Sequence, residues 1–227
     1  MKLMQLLSLR NGFLALTIAA IASTSGLLTA CSNAASQNQT QAPDATATNA
    51  SDNHMNHSMG MDLGPADANF DLRFIDAMTP HHQGALEMAN VAQQKSKRPE
   101  IKKLADNIIK SQNQEITQMK QWRQAWYPSA GTKPMAYDSQ MGHTMEMSSD
   151  QMKAMMMNQD LGAADTKFDL RFINAMIPHH EGAVKMAQDA LTKSKRPEIK
   201  QLAQEIIKAQ DTEIKQMQQW RKTWYKQ

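Results

Sequence analysis

The chain has 227 residues, of which 41% are hydrophobic and 21% charged, and its formal net charge is +3. These values exclude a wholly disordered chain and a multi-span membrane protein. The sequence also has no basic stripe of the kind that is typical of nucleic-acid-binding proteins. A single Cys excludes a disulfide framework and a thiolate zinc site. The unusual count is 19 Met, about three to four times what ordinary composition predicts.

Residues 1–30 have the pattern of a secretory signal peptide, with a basic start followed by a long uncharged apolar stretch. Residues 28–31, Leu-Thr-Ala-Cys, fit a bacterial lipobox. We therefore expect an exported, periplasmic protein that a lipid on Cys31 anchors to the membrane. The alternative is an ordinary cleavage near Ala34, which would leave a soluble protein.

Residues 31–69 are predicted to form a flexible tether, because their Ser, Asn, Gln, Thr and Ala cannot bury enough apolar surface to fold. The tether carries a short segment rich in Met and His. Its candidate metal ligands are His54, Met55, His57, Met59 and Met61.

An internal repeat organises the remainder of the chain. Residues 70–127 match residues 168–225 at 39 of 58 positions. Each copy contains two amphipathic helical segments separated by a short turn, and a Pro inside the first segment predicts a kink or a restart there. The predicted fold is all-α: two helical hairpins, at 70–127 and 168–227, form a ferritin-like up-down four-helix bundle. Whether the hairpins pack within one chain or between chains stays open.

Both hairpins place Met, His and Glu at one predicted level. His81 and His82 follow Met78 by three and four residues, and the hairpin register sets them opposite Gln112 and Glu115, where the apolar stripe becomes polar. The candidate ligands in the helices are Met78, His81, His82, Met88, Glu115, Met119, Met176, His179, His180, Met186, Glu213 and Met217. The alternatives are Met as core filling and a hydrogen-bonded polar layer that fixes the register.

The predicted flexible linker at 128–167 holds most of the other Met residues. Up to Met147 they follow no helical stripe, so packing does not explain them, whereas residues 150–157 could form a short helix. Thioether and imidazole groups together favour copper, with Cu(I) preferred and Cu(II) or Ag(I) as alternatives. The candidate ligands are Met135, Met141, His143, Met145, Met147, Met152, Met155, Met156 and Met157. A disordered, oxidant-scavenging linker is the alternative.

The sequence Met-Thr-Pro-His-His-Gln-Gly-Ala at 78–85, with Glu115, Met119 and Trp122 in the second helix, resembles a helical family long described as domains of unknown function. The second copy repeats the motif at 176–183. The resemblance covers nearly all of the predicted ordered chain. It implies a helical bundle and, for the copper-handling members of the family, periplasmic copper binding and copper tolerance.

The leading hypothesis is a protein that sequesters copper and contributes to copper tolerance, with a copper efflux component as a candidate partner. We do not expect an enzyme, because a di-iron bundle needs Glu-x-x-His on two helices and a type 1 copper site needs Cys. A His/Glu redox enzyme is therefore the weaker alternative. A structural envelope lipoprotein is the other, with an aromatic surface formed by Trp122, Trp126, Tyr127, Trp220, Trp224 and Tyr225.

Overall fold

A computed structural model describes residues 61–227 of the chain, which are mostly helical. The elements within this range are α1 (Phe70–Lys95), α2 (Pro99–Trp126), β1 (Met135–Asp138), β2 (His143–Glu146), α3 (Ser149–Met156), α4 (Phe168–Lys193) and α5 (Pro197–Tyr225). None of these helices is long and apolar enough to cross a membrane. The predicted signal peptide, Cys31, the tether up to residue 60, His54, Met55, His57 and Met59 lie outside the described residues.

The four long helices form the two predicted hairpins: hairpin 1 is α1 with α2, and hairpin 2 is α4 with α5. Pro99 and Pro197 are the first residues of α2 and α5, where the missing N–H of proline costs no hydrogen bond. A kink or a restart was expected at the internal proline; the restart does not occur, because α1 continues through Pro80 and α4 continues through Pro178. Both prolines follow densely buried turns, so packing outweighs the loss of one helical hydrogen bond.

The hairpins contact each other within one chain, with α1 against α4. Their buried side chains form two apolar clusters, one toward each end of the packed helices. Cluster A contains Phe70, Phe74, Ile75, Met78 and Met119 of hairpin 1 and Ala183, Met186, Ile199, Leu202 and Ile206 of hairpin 2. Cluster B contains Ala85, Met88, Ile101, Leu104 and Ile108 of hairpin 1 and Phe168, Phe172, Ile173, Met176 and Met217 of hairpin 2. Each cluster therefore combines the opposite ends of the two hairpins.

The turn of each hairpin covers the end of the other. Arg98, in the turn of hairpin 1, lies 4.2 Å from the ring centroid of Trp224 at the end of α5. Arg196, in the turn of hairpin 2, lies 4.1 Å from the ring centroid of Trp126 at the end of α2. These reciprocal cation–π contacts hold the hairpins side by side in opposite directions.

The segment that connects the hairpins is folded, which differs from the predicted flexible linker and from a purely α-helical fold. Strands β1 and β2 pair antiparallel, with Met135 opposite Glu146 and Asp138 opposite His143. Helix α3 follows, and Ser148 and Gln151 form a capping box at its start. The short helix anticipated at 150–157 is thus present.

A buried ion pair attaches this segment to hairpin 1. Asp76 accepts hydrogen bonds from Nε of Arg123 at 2.5 Å and from the backbone N–H of Met135 at 2.8 Å. Arg123 also donates to the carbonyl oxygens of Gly131 and Lys133. Burial raises the pKa of Asp76, although these hydrogen bonds oppose the rise. Four-residue strands gain little stability alone, so these long-range bonds account for the order of the segment.

Candidate metal centre

Four histidines form a buried layer between clusters A and B. His81 and His82 of α1 and His179 and His180 of α4 are each at most 1% exposed. The rings of His81 and His179 stack with their centroids 3.9 Å apart and their planes at 5°. We call these four residues the histidine layer. The two sequence copies therefore contribute to one site region where the hairpins meet.

The outer histidine of each pair contacts the predicted glutamate. Nε2 of His82 lies 2.6 Å from Oε2 of Glu115, and Nε2 of His180 lies 2.7 Å from Oε2 of Glu213. The Nδ1 atoms of His82 and His180 are buried and have no hydrogen-bond partner. The hairpin register inferred from the sequence placed these groups at the correct level.

The inner histidines contact backbone carbonyl groups. The nitrogens of His81 face the carbonyl oxygens of Met155 at 2.7 Å and His179 at 3.0 Å, although a neutral ring can donate to only one of them. Nε2 of His179 lies 3.1 Å from the carbonyl oxygen of Met156. Burial lowers the pKa of His81 to about 4, and burial together with the neighbouring histidines lowers that of His179 well below its usual value. Both rings are therefore neutral at pH 7, as a metal-binding imidazole must be.

The six helical methionines are fully buried, but the structure groups them differently from the sequence. Met78 and Met119 share cluster A with Met186 of the other hairpin. Met176 and Met217 share cluster B with Met88. The sequence associated Met88 and Met186 with the histidines of their own copies. In the fold, each of these two methionines packs in the cluster on the far side of the layer, with methionines of the other hairpin. Both clusters therefore contain thioethers from both hairpins.

The methionines outside the long helices occupy three environments. Met61, Met147 and Met155 are buried, so the expectation that packing does not account for such residues was wrong for Met61 and Met147. Met141 is 66% exposed, and His143 is also exposed. The remaining ones are half-buried: Met135, Met145, Met152, Met156 and Met157.

Two glycines, which the sequence interpretation did not single out, bring the connecting segments close to the histidine layer. A Cβ at Gly84 would overlap the carbonyl group of Met156 at the end of α3. A Cβ at Gly182 would lie 2.9 Å from Sδ of Met61 and 3.4 Å from Cε1 of His81. Each glycine follows its histidine pair by two residues in the repeat, which is the sequence signal for a close approach.

Arg73 is a further buried residue that the sequence interpretation did not single out. Its guanidinium donates to the carbonyl oxygen of Leu63 at 2.6 Å and to Oγ1 of Thr144 at 2.6 Å. Arg171 donates to the carbonyl oxygen of Leu161 at 2.7 Å in the same way. The signal was present in the sequence, because Leu-Gly and a following Asp recur at 63–67 and 161–165 with the spacing of the repeat.

Nitrogen and oxygen ligands alone do not form a metal cluster in residues 61–227, where no three His, Cys, Asp or Glu side chains converge suitably. The histidine layer has one His–Glu contact per hairpin, and buried thioethers belong to the apolar clusters on either side of it. Imidazole and thioether are ligands that copper accepts, and thioether is soft enough to favour Cu(I).

Comparison with known proteins identifies the family of this chain. Residues 71–221 match the family described as Domain of unknown function (DUF305). The chain belongs to the DUF305 family. The match confirms the resemblance inferred from the histidine motif and its repeat.

Solved structures of the family share the fold. CopM in the Cu(I)-bound form is 43% identical, with 68% of this chain and 97% of that chain covered and a TM-score of 0.53. CopM in the Cu(II)-bound form is 44% identical over the same shares, with a TM-score of 0.55. A DUF305 fragment from Deinococcus radiodurans is 28% identical, covering 68% of this chain and 95% of that one, with a TM-score of 0.51.

One curated relative matches over a short range. Uncharacterized protein L153 of Acanthamoeba polyphaga mimivirus is 45% identical over 49 residues, which are 22% of this chain. The match spans about a third of that relative, 32% of its length.

Proposed function

We propose that this protein binds Cu(I), with Cu(II) and Ag(I) as further ions that it accepts, and that it sequesters them rather than catalysing a reaction. The observation that carries the proposal is the fully buried histidine layer with buried thioethers on both sides. Solved forms of CopM that hold Cu(I), Cu(II) and Ag support it. The proposed frame is a four-helix bundle made from the two hairpins.

Two ordered sites are proposed, one beside each outer histidine. The site of hairpin 1 uses His82 with Met78 and Met119, which lie one helical turn from His82 and Glu115. The site of hairpin 2 uses the corresponding residues, His180, Met176 and Met217. Soft thioethers favour Cu(I) and Ag(I), while imidazole also accepts Cu(II), so such sites accommodate all three ions.

The exposed and half-buried methionines of the connecting segment are proposed to bind further ions more weakly. Met141 and His143 lie in the β1–β2 hairpin and are accessible to solvent. A ligand that is already exposed needs no opening of the fold, so ions there exchange faster than ions in the histidine layer. This part of the chain would take up copper first.

The proposed setting is the periplasm, with a lipid on Cys31 as the anchor. This part of the proposal rests on the signal-like sequence and the lipobox. A protein that holds Cu(I) beside the membrane would lower the free copper concentration and could deliver the ion to an efflux component. Such a role would contribute to copper tolerance.

The aromatic residues considered for a structural lipoprotein are engaged inside this chain. Trp126 and Trp224 stack on Trp122 and Trp220 and contact the arginines of the opposite turns. These contacts favour a role in joining the hairpins over a role as a partner surface.

The decisive test is titration of the mature protein with Cu(I) under reducing conditions, followed by mass spectrometry of the intact complex. The wild type should hold one tightly bound ion per hairpin and additional weakly bound ions. The double variant His82→Gln/His180→Gln should lose the tight ions, since it removes one imidazole from each site. Circular dichroism shows whether each variant remains folded.

A second set of variants distinguishes the proposed weak sites of the connecting segment from the two tight sites. Leu in place of Met135, Met141 and Met145 should reduce the number of weakly bound ions and leave the tight ones. Gln114→Ala, on the exposed face of α2, serves as a control. Unchanged stoichiometry in both the histidine and the methionine variants would contradict the proposed function.

A further inference from the structure

The two His–Glu pairs are nearly identical, although their surroundings along the chain differ. In each pair the histidine ring is fully buried and the glutamate side chain is 16% exposed. The nitrogen–oxygen distances are 2.6 Å in hairpin 1 and 2.7 Å in hairpin 2. Geometry that is kept in both copies indicates a requirement of the site itself.

The glutamate determines which ring nitrogen carries the proton. A carboxylate only accepts hydrogen bonds, so Nε2 of His82 donates to Glu115 and Nε2 of His180 donates to Glu213. In a neutral ring the other nitrogen, Nδ1, then carries a lone pair. Neither Nδ1 atom has a hydrogen-bond partner, although both are buried.

A buried lone pair without a partner is costly unless the site has a use for it. Met78 lies one turn before His82 on α1, and Met119 lies one turn after Glu115 on α2. Both methionines are fully buried. The unpartnered nitrogen therefore belongs to a ring that has buried thioethers within about one helical turn along α1 and α2.

We propose that Glu115 and Glu213 are positioning residues: each fixes its histidine with Nε2 protonated and presents Nδ1 to a soft cation. The inference rests on the proposed function and changes the role of the two glutamates, which the sequence suggested as ligands. A carboxylate bound to the second imidazole nitrogen orients the ring and makes the first nitrogen a stronger donor. A hard carboxylate oxygen adds little as a direct ligand of Cu(I) or Ag(I).

The first test needs no metal. Nitrogen-15 NMR of histidine-labelled, metal-free protein reports which ring nitrogen is protonated. His82 and His180 should both show protonated Nε2 and unprotonated Nδ1. Glu115→Leu should give a mixture of tautomers for His82 only. A wild-type ring protonated on Nδ1 would overturn the positioning role, whatever the protein binds.

The second test measures Ag(I) binding at each site, since Ag(I) does not change oxidation state in the assay. Glu115→Gln should weaken binding at His82 by about 10- to 100-fold and leave His180 unchanged, and Glu213→Gln should do the reverse. Gln retains an oxygen that accepts a hydrogen bond from Nε2–H and Leu does not, so Glu115→Leu should weaken binding further. Equal affinity in the wild type and Glu115→Leu would also overturn the positioning role.

Glu181→Gln is the matched control. Glu181 directly follows His180, is exposed, and corresponds to Gln83 in the first copy. This variant removes a nearby negative charge without touching a ring nitrogen, and it should bind Ag(I) as the wild type does. Wild-type protein that binds no Ag(I) or Cu(I) would contradict the proposed function as well, whereas normal binding with the wrong tautomer contradicts only the role of the glutamates.

Discussion

Hairpin 1 and hairpin 2 have similar interiors and different outer faces. Both bury a histidine pair, a His–Glu contact and three methionines. On hairpin 1, Asp76 binds Arg123 and the connecting segment, whereas the corresponding Asn174 lies 3.5 Å from Arg221 and is exposed. The interior that faces the proposed metal sites is therefore alike in both hairpins, whereas only the outer face of hairpin 1 also binds the connecting segment through Asp76.

The corresponding glycines of the two hairpins also have different neighbours. Gly84 packs against the backbone of Met156, while Gly182 packs against the side chain of Met61. A backbone neighbour cannot move without moving α3, but a methionine side chain can change rotamer. The layer is therefore bordered by backbone beside Gly84 and by a flexible side chain beside Gly182.

Acid should cause the largest decrease in the free energy of unfolding, because it protonates histidines of the layer that both hairpins share. The pKa of His81 falls to about 4 on folding, so the unfolded chain binds its proton first as the pH decreases. Stability from this group is complete above pH ~6.5 and is lost between there and pH ~4, a cost on the order of 3 kcal/mol. Burial of His179 adds to the loss in the same direction.

Urea unfolding of metal-free protein between pH 7.5 and 4.5 measures this loss. His81→Gln should show a shallower decrease over the same range, since the titrating group is gone. A wild-type free energy of unfolding that stays constant from pH 6.5 to 4.5 would contradict the lowered pKa values of His81 and His179.

The anchoring of the connecting segment should produce the next largest difference between the hairpins. Asp76→Ala leaves Arg123 and the N–H of Met135 without their partner and should cost about 3 kcal/mol. Asn174→Ala should cost no more than about 0.5 kcal/mol, as expected for an exposed residue. Urea unfolding of the two variants compares them directly, and equal losses would mean that the outer faces do not differ as described.

The two glycine substitutions should differ by a smaller amount. Gly84→Ala forces α3 away from α1 and should cost about 2 kcal/mol. Gly182→Ala needs only a new rotamer of Met61, and the better helix propensity of Ala offsets part of that cost, so we expect less than about 1 kcal/mol. Thermal unfolding measures both, and hydrogen exchange should show faster exchange of α3 in Gly84→Ala only. A larger loss in Gly182→Ala would reverse the assignment of rigid and flexible sides.

Substitution of Met88 or Met186, which pack with methionines of the other hairpin, should have the smallest effect on stability. Met88→Leu preserves volume and should change the free energy of unfolding by less than about 1.5 kcal/mol. Since Met88 shares a cluster with Met176 and Met217, it should alter the Ag(I) response of His180 more than that of His82. Met186→Leu should show the opposite preference. Histidine NMR during an Ag(I) titration resolves the two sites, and effects confined to each variant's own hairpin would contradict the crossed arrangement.

The sequence was sufficient for features that depend on local pattern. The amphipathic pattern predicted α2, and the hairpin register predicted that His82 and Glu115 lie at the same level. The second sequence copy forms the equivalent pair, His180 with Glu213. Such features need only helical periodicity and a short turn, which a single sequence contains.

Features that depend on distant partners could not be predicted in the same way. The strands at 135–138 and 143–146 are ordered by Arg73, Asp76 and Arg123, which are far away in the sequence. The carbonyl groups facing His81 and His179 belong to the backbone of α3 and have no side-chain signature. A restart of the helix was one expectation at Pro80, and α1 instead continues through that residue.

The reciprocal Arg–Trp contacts bear on the ancestry of the molecule. Arg98 on Trp224 and Arg196 on Trp126 are related as the two halves of a self-complementary dimer contact are. A shorter chain with one hairpin could make both contacts, and both halves of the histidine layer, by pairing with an identical molecule. Fusion of two such genes would make that association independent of concentration and would allow the two halves to differ, as Asp76 and Asn174 do.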